Sequence, residues 1–415
     1  MWARFRAIDS FKKNLLLVFA GSSLVNFFNL LYQLLIAHSL DAANFAAFNS
    51  LLSVFMMIST PLGTLQIALA KYCAEFNAQN LALKIKFLLS DLLKKAFFLA
   101  AATLALFWIF SGPLMTALKI PSVYAGYILA ALLALSWVAP VFFGAAQGLE
   151  LFNWFSGASV ISSAMKLALA AIFIKLGFSI AGALGALLFS SLAGMLIFFF
   201  PLKKYIGFKA ARQEINYKPI LLFLFPVAIS NFCFITLASI DMVMVKHYFS
   251  QDDAGLYALA QMAGKIFLFF PGAISMVMFP RSSGLNARNL DTAAVLKRSL
   301  FYAAILCASS AALYNLFASF ILKVFTGKAP LESVELGRLF SVSMGFFALL
   351  NILVMYMLSI HDLRFIKYLF SLTALQYLAI SLWHSSLAQV QVILCANAVL
   401  LFFIHLKLAL ERNNA

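Results

Sequence analysis

The sequence predicts an all-α integral membrane protein with about twelve transmembrane helices, arranged as two pseudo-symmetric six-helix lobes around a central cavity. Three observations predict this fold class. Of the 415 residues, 64% are hydrophobic and 11% are charged, and the mean hydropathy is +0.98. The apolar residues form blocks of roughly 20, the length that a helix needs to cross about 30 Å of hydrocarbon. The second half of the chain also repeats a pattern of the first half.

Twelve apolar blocks are long enough to span the hydrocarbon region as helices. The weakly alternating ten-residue segments of an outer-membrane barrel are not seen. The predicted spans lie near residues 15–37, 44–70, 96–118, 124–146, 153–174, 181–201, 219–245, 255–280, 299–322, 335–359, 368–384 and 389–406.

The lysines and arginines indicate the orientation of these spans. If the N-terminus is cytoplasmic, 22 of the 30 basic residues fall in inner segments. Cytoplasmic loops are enriched in Lys and Arg. The chain is therefore expected to be a multi-pass protein of the inner (plasma) membrane with both termini in the cytoplasm. This placement explains the net charge of +16 without a nucleic-acid partner, and the sequence leaves the oligomeric state open.

A basic segment divides the chain near its middle. The stretch "PLKKYIGFKAARQEINYKP" is the longest joint between apolar blocks. We interpret residues 1–201 as an N-terminal lobe, 202–218 as a basic cytoplasmic linker and 219–415 as a C-terminal lobe. The segments "HSLDAANFAAF" and "HYFSQDDAGLY", which begin at His38 and His247, align without a gap at an offset of 209 residues. With six spans in each half, this is a parallel repeat.

Two prolines are candidate hinges. Pro61 and Pro271 occupy matching positions in the two halves, at an offset of 210 residues. A proline removes a backbone hydrogen bond and permits a bend in a membrane helix. Simple tolerance of proline by membrane helices remains the alternative interpretation.

Four polar residues mark one face of the first span. Ser22, Asn26, Asn29 and Gln33 are separated by 4, 3 and 4 residues, which places them on one side of a helix. Hydrogen bonding between helices is one interpretation. We favour a face that lines a water-filled cavity, because four polar side chains exceed what one packing contact requires.

Charged residues inside the spans are the second candidate group. Lys265 lies about 15 Å into the eighth span, and Asp241 lies about 10 Å below the outer end of the seventh. A charge near the bilayer centre costs at least about 2.5 kcal/mol. The pair is either a structural salt bridge or part of a substrate path. In the second case Lys265, Lys166 and Arg338 make the cavity cationic and suited to an anionic headgroup such as a phosphate, while Arg338 can also snorkel to the interface.

The sequence lacks the patterns of several enzyme and metal sites. There is no Walker A, HExxH or GxSxG pattern, and the four cysteines lack CxxC spacing. The protein is therefore not expected to be an enzyme or to hold a metal. No cofactor is expected, although Asp241 is a candidate carrier for a coupling H⁺ or Na⁺.

The stretch "IDMVMVKHYFSQDDAGLYALAQMAGKIFLFFPGAISMVMFPRSS" resembles a segment of the polysaccharide-export proteins of the multidrug/oligosaccharidyl-lipid/polysaccharide superfamily, known as the MOP superfamily. An Asp, an aliphatic run, a short acidic loop, Gly-x-Tyr-x-x-Ala and a Pro-containing helix recur in that family. "GAAQGLELFNW" resembles its linker after the fourth span, and residues 38–71 resemble its N-terminal signature. Ala46 replaces the usual Gly of that signature, and His38 stands where Arg is common. The matching residues are Asp241, Asp252, Asp253, Gly255, Tyr257, Ala260 and Pro271.

The resemblance implies a transporter that flips polyprenyl-diphosphate-linked oligosaccharide from the inner to the outer leaflet for cell-surface polysaccharide synthesis. A cation-coupled multidrug exporter of the same superfamily is the alternative, but it would need more acidic residues in its spans than Asp241 alone. A membrane glycosyltransferase or polymerase is a third interpretation. It would normally need acidic catalytic residues or a large outer loop, and neither is seen.

Overall fold

The structure is a computed structural model that describes residues 2–207, 213–215, 217–269, 272–286, 288 and 290–413. Within these residues the chain forms α-helices joined by short turns, and no strand occurs. A 3₁₀ turn, Lys203–Tyr205, follows the sixth helix. The helices are α1 (Trp2–Ser39), α2 (Ala42–Ala78), α3 (Ala82–Ala117), α4 (Val123–Gly148), α5 (Phe152–Lys175), α6 (Ser179–Leu202), α7 (Lys218–Leu237), α8 (Ile240–Tyr248), α9 (Gln251–Phe269), α10 (Gly272–Asn286), α11 (Ala293–Thr326), α12 (Leu331–Ser359), α13 (Phe365–Leu382) and α14 (Leu387–Asn413).

The helices have the length and composition of membrane spans. Ten of those in the described residues are long and apolar enough to cross a membrane, and the bent pair α7 and α8 adds an eleventh. The predicted eighth span falls on α9 and α10, which flank residues 270 and 271 outside the described part of the chain. Outward faces carry large apolar side chains, such as Phe98 at 73% and Trp108 at 70% exposure. The predicted fold class, an all-helical membrane protein, is confirmed.

The seventh span differs from the prediction of one continuous helix. α7 ends at Leu237 and α8 begins at Ile240, with a bend of 42° between them. The Leu237 carbonyl accepts a hydrogen bond from Gln376 Nε2 at 2.9 Å, and Asn397 Nδ2 donates to Gln376 Oε1 at 2.8 Å. Gln376 of α13 thus satisfies a backbone carbonyl at the break, and Asn397 of α14 holds Gln376 in place. No Gly or Pro lies between residues 227 and 254 to signal this break in the sequence.

The chain folds into two compact units. The first comprises α1 up to Ser39 together with Ile58–Phe225, and the second comprises Leu40–Met57 together with Pro226–Ala415. Helix α2 therefore contributes to both units. The predicted division at 201 and 219 stays a prediction, although the linker residues described here belong to the first unit.

In the first unit, α4 packs between α3 and α6, and α5 packs against α1 and α6. Its core contains Leu88 and Leu89 of α3, Val141 of α4 and Phe198 of α6. α4 also lies close to the second half of α2. A Cβ added at Gly144 would stand 2.7 Å from the Gln66 carbonyl oxygen. This helix pair therefore requires a residue without a side chain at that position.

In the second unit, α12 is the central helix. It packs against α9, α11 and α14, and most of its side chains are buried. α4 has the same character in the first unit, where it too is mostly buried. The two units thus each have one apolar central helix.

The helices of the two halves begin at matching intervals. The starting residues of three pairs are separated by 209, 208 and 208 residues, which agrees with the offset of the sequence repeat. These pairs are α2 with α9 (Ala42 and Gln251), α4 with α12 (Val123 and Leu331), and α6 with α14 (Ser179 and Leu387).

Candidate functional site

In the first unit, α1 and α5 bring an ammonium group, an amide and a ring together. Lys166 Nζ on α5 donates a hydrogen bond to Asn29 Oδ1 on α1. The same ammonium lies 4.7 Å from the centroid of the Tyr32 ring. A cation over an aromatic face at this distance is stabilised by the ring quadrupole. Lys166 is therefore held by neutral groups.

The hydroxyl end of the Tyr32 side chain is held in place as well. Its side chain is 1% exposed, and its hydroxyl donates to the carbonyl oxygen of Ala183 on α6 at 2.9 Å. About three turns earlier on α1, a Cβ at Gly21 would stand 2.9 Å from Ser156 Cβ of α5. This close approach of α1 to α5 keeps Asn29 within reach of Lys166.

The remaining polar residues of the α1 face are less enclosed. Ser22 and Asn26 are exposed and Gln33 is partly buried. Their side chains have no hydrogen-bond partner within the described residues, so α1 presents free polar groups on that face. The structure joins one member of the predicted face, Asn29, to a second candidate, Lys166.

In the second unit, Asp241 on α8 is fully buried and hydrogen-bonded on one side. Its Oδ2 accepts from Tyr257 Oη and from Gln261 Nε2, each at 2.9 Å. The Tyr257 hydroxyl also lies 3.3 Å from Gln391 Oε1, and Gln391 Nε2 donates to Ser343 Oγ at 2.9 Å. α8, α9, α12 and α14 thus share a buried polar network centred on one carboxylate.

The other carboxylate oxygen of Asp241 is less well satisfied. The backbone N–H of Met242 interacts with the carboxylate, but Oδ1 is buried without a hydrogen-bond partner of normal geometry in the part of the chain that the structure describes. A buried acceptor without a partner costs about 1–3 kcal/mol, and more when it is charged. This oxygen is a place where a proton or a cation would be stabilised.

Lys265 on α9 has a weak local partner. Its Nζ lies 3.5 Å from Ser239 Oγ, at the break between α7 and α8. Its charge attracts that of Asp241 through space. The ion pairs within 4.0 Å among the described residues lie elsewhere, so the two groups form no direct salt bridge. The positive charge of Lys265 is therefore only partly compensated.

The other candidates are placed as follows. Arg338 on α12 is exposed, and the structure does not join it to Lys265. Helix α2 runs through Pro61 without interruption. Met57, whose carbonyl loses its helical partner to Pro61, is the last residue of α2 that belongs to the second unit. Pro271 lies outside the described residues.

Several residues of both networks are absent from the sequence-based candidates. They are Tyr32 in the first unit and Gln261, Gln391 and Ser343 in the second, together with Tyr257, which the sequence marks only as part of the family motif. A signal for part of the second set exists, because Tyr257, Gln261 and Lys265 recur every four residues and therefore share one face of α9. Gln391 and Ser343 have no comparable signal, since their partners are distant in sequence. Among the described residues no cluster of three His, Cys, Asp or Glu side chains could hold a metal ion.

Comparisons with known proteins agree with this architecture. The model of the family described as "Polysaccharide biosynthesis protein" matches residues 11–286. No curated protein sequence matches the chain significantly.

Solved structures show the fold. An inward-facing multidrug resistance MATE family transporter of the MOP superfamily superposes with a TM-score of 0.77 at 16% identity, covering 94% of each chain. The lipid II flippase MurJ in an inward closed conformation gives a TM-score of 0.69 at 15% identity, covering 94% of this chain and 87% of that one. A point mutant of the Vibrio cholerae MATE transporter VcmN gives a TM-score of 0.61 at 14% identity, covering 97% of this chain and 95% of that one.

The family model covers well over half of the chain, and the structural likeness extends over nearly all of it. At these low identities the likeness concerns the fold alone. The chain therefore belongs to the polysaccharide biosynthesis protein family, and its fold is that of the transporters of the MOP superfamily.

Proposed function

We propose that this protein flips polyprenyl-diphosphate-linked oligosaccharide from the inner to the outer leaflet of the cell inner (plasma) membrane by alternating access. The family to which the chain belongs carries the description "Polysaccharide biosynthesis protein". One of the solved proteins that share its fold is a lipid II flippase. A lipid-linked sugar is thus a substrate class consistent with both comparisons.

One observation carries the proposal. Lys166 and Lys265 lie in the membrane spans, and neither forms a direct ion pair within the described residues. Intramembrane lysines without a direct counter-ion are costly and usually mark a substrate or ion path. The diphosphate of a lipid-linked sugar would supply the missing negative charge. The exposed Ser22 and Asn26 would offer hydrogen bonds to the sugar.

Multidrug export is the alternative, because two of the solved structures with this fold are described as multidrug resistance transporters. Such a transporter would offer a carboxylate to a cationic drug. Asp241 is fully buried and hydrogen-bonded to Tyr257 and Gln261, so it is not exposed to a substrate in this conformation. The charges of the spans therefore favour an anionic substrate.

Alternating access needs a point at which helices can bend. Pro61 removes the hydrogen bond of the Met57 carbonyl at the residue where α2 passes from one unit to the other. This coincidence supports Pro61 as a hinge. Pro271 is proposed as its counterpart from the sequence repeat alone.

The test is a flipping assay in liposomes with a fluorescent polyprenyl-diphosphate oligosaccharide. Wild type is compared with Lys265→Ala, Lys265→Arg and Lys166→Ala, with Lys175→Ala at an exposed helix end as the matched control. We expect flipping to be lost in Lys265→Ala and strongly reduced in Lys166→Ala, and to be retained in Lys265→Arg and Lys175→Ala. Elution as a single species in detergent verifies that each variant is folded.

Two results would overturn the proposal. One is absence of flipping by wild type together with efflux of a cationic dye, which would favour the multidrug exporter. The other is full flipping by Lys265→Ala and Lys166→Ala, which would show that the intramembrane ammonium groups do not meet the diphosphate. The orientation is tested separately, by the accessibility of terminal tags to protease in spheroplasts, where both tags should be protected.

A further inference from the structure

The described ends of the linker lie against the first unit. Tyr217 Oη donates to Asp91 Oδ2 on α3 at 2.7 Å, and the Gly207 N–H donates to Ser90 Oγ at 3.1 Å. Ile206 and Ile215 pack against the core of that unit. The two described ends of the linker are thus attached within the first three turns of α3, and the described lysines Lys203, Lys204 and Lys218 are held at that end of the unit.

The same end carries lysines whose ammonium groups lie over aromatic rings. Lys95 Nζ is 4.6 Å from the Tyr217 ring centroid, and it also pairs with Asp91 at 2.7 Å. Three further ammonium groups lie 4.8 to 5.9 Å from ring centroids. These pairs are Lys71 with Tyr72, Lys84 with Phe76, and Lys204 with Tyr205. We call Lys71, Lys84, Lys95 and Lys204 the lysine collar.

The collar lies where α2, α4 and α6 end and where α3 and α5 begin. Basic residues outnumber acidic ones there. The described lysines of this end are Lys71, Lys84, Lys86, Lys94, Lys95, Lys203, Lys204 and Lys218, and the described acids are Glu75, Asp91, Glu150 and Glu214. The net charge at this end is therefore positive, and it is concentrated at the ends of apolar helices.

Aromatic rings and long lysine stems at helix ends occupy the boundary between hydrocarbon and headgroups. An ammonium group held there meets the phosphate of a membrane lipid directly. A cluster of four to eight basic residues next to a span is the pattern that anionic phospholipids recognise. We propose that the lysine collar binds the phosphate headgroups of anionic phospholipids. This inference does not depend on the transported substrate.

Contacts of the described linker ends give the collar a fixed geometry. If the linker were free, Lys204 and Lys203 would be distributed over a range of positions, and each would have to be ordered when a lipid binds. The turn Lys203–Tyr205 packs against α3 and the Gly207 N–H bonds to Ser90, which places both lysines beside the α3 lysines beforehand. The Tyr217 ring lies against Lys95, so the hydrogen bond of Tyr217 to Asp91 acts as a positioning contact for that lysine of the collar.

The test uses purified protein in a non-ionic detergent, titrated with fluorescent phosphatidylglycerol, with phosphatidylcholine of the same chains as the neutral probe. The collar variant is Lys71→Gln, Lys84→Gln and Lys204→Gln combined. Its matched control, with the same loss of charge at other helix ends, is Lys119→Gln, Lys175→Gln and Lys323→Gln combined. A Lys→Arg version of the collar variant keeps the charge.

Each lysine near an anionic lipid surface contributes about 1 kcal/mol to the binding free energy, which is about fivefold in affinity. We expect the collar variant to bind phosphatidylglycerol at least about tenfold more weakly than wild type, and the control and the Lys→Arg version to stay within about twofold. Phosphatidylcholine binding should be unchanged. Tyr217→Leu, which removes the ring behind Lys95 and the bond to Asp91 without changing the charge, should also weaken phosphatidylglycerol binding.

Three results would overturn the inference. Equal weakening by the collar variant and its control would show an effect of net charge alone. Equal affinity of wild type for the two lipids would show that the lysines do not distinguish an anionic headgroup from a neutral one. Displacement of phosphatidylglycerol by inorganic pyrophosphate, but not by unlabelled phosphatidylglycerol, would assign the lysines to a soluble anion.

Discussion

Tyr257 and Asp241 are joined by a hydrogen bond of 2.9 Å between Tyr257 Oη and Asp241 Oδ2, and both side chains are completely buried. The bond connects α9 to the short helix α8 that follows the break in the seventh span. Together with Gln261 it holds one oxygen of the carboxylate and leaves the other without a normal partner. The carboxylate is therefore both fixed in position and incompletely satisfied.

Removal of this bond should destabilise the second unit. Tyr257→Phe keeps the ring contact with Phe340, whose centroid lies 5.0 Å away, but leaves Asp241 with one fewer donor. A lost partner of a buried charged group costs about 1–3 kcal/mol. We expect a lower midpoint of thermal unfolding in detergent. Tyr248→Phe is the control, because that hydroxyl has no hydrogen bond within the described residues. Equal midpoints for the two variants would contradict the role of the bond.

The contact between Asn29 and Lys166 should matter for transport rather than for stability. Asn29→Leu removes the acceptor that orients the ammonium group, and we expect flipping of the lipid-linked oligosaccharide to slow by about fivefold to tenfold, which corresponds to about 1–1.4 kcal/mol. In a Lys166→Gln background the same substitution should have little further effect, because contacting residues are coupled. Independent effects of the two substitutions would show that Asn29 acts without Lys166.

Two glycines on different helices provide a matched test of helix packing. Gly144→Ala would bring a methyl group 2.7 Å from the Gln66 carbonyl oxygen, whereas Gly157 has nothing within 4 Å of its Cβ position. We expect Gly144→Ala to lower the thermal midpoint clearly. Gly157→Ala should leave the midpoint unchanged or raise it slightly, because Ala favours a helix by about 0.5–1 kcal/mol. A loss of stability in Gly157→Ala would indicate that the glycine has a role other than packing.

The contact of Tyr217 with Asp91 should respond to high pH. Burial and the adjacent Asp91 carboxylate raise the pKa of Tyr217 above that of an ordinary tyrosine. Because the protonated phenol is favoured in the folded state, the stabilisation by this bond is fully present below about pH 10 and is lost as the pH rises through the folded pKa. The ultraviolet absorbance of tyrosinate, wild type minus Tyr217→Phe, should show one residue that stays protonated at about pH 11. Ionisation of that residue near pH 10 would contradict docking.

The helical architecture follows from the sequence because spacing and hydropathy determine it locally. Blocks of apolar residues predict the spans, and the positions of Lys166, Lys265 and Asp241 inside them mark these residues as unusual. The recurrence of His38 and His247 predicts a repeat whose helix starts the structure reproduces at nearly the same interval. All of these signals depend on residues that are near one another in the chain or separated by one fixed offset.

The partners of the charged residues could not be predicted in the same way. Asn29 and Lys166 are 137 residues apart, and Tyr257 and Gln391 are 134 apart. Which polar side chains meet depends on how the helices rotate and cross, and a periodic pattern does not specify that rotation. The break at Leu237 has no local signal for a related reason: no Gly or Pro marks it, and the group that bonds the Leu237 carbonyl comes from a distant helix.

The break in the seventh span has a consequence for biosynthesis. The segment from α7 to α8 leaves the ribosome as a continuous apolar stretch, while Gln376, which holds the Leu237 carbonyl, is 139 residues further along the chain. At about 5–20 residues per second, its synthesis follows by roughly 7 to 28 seconds. A helix inserted alone would keep its backbone hydrogen bonds in lipid. The nascent segment should therefore enter the bilayer unbroken, and bend only when α13 arrives beside it.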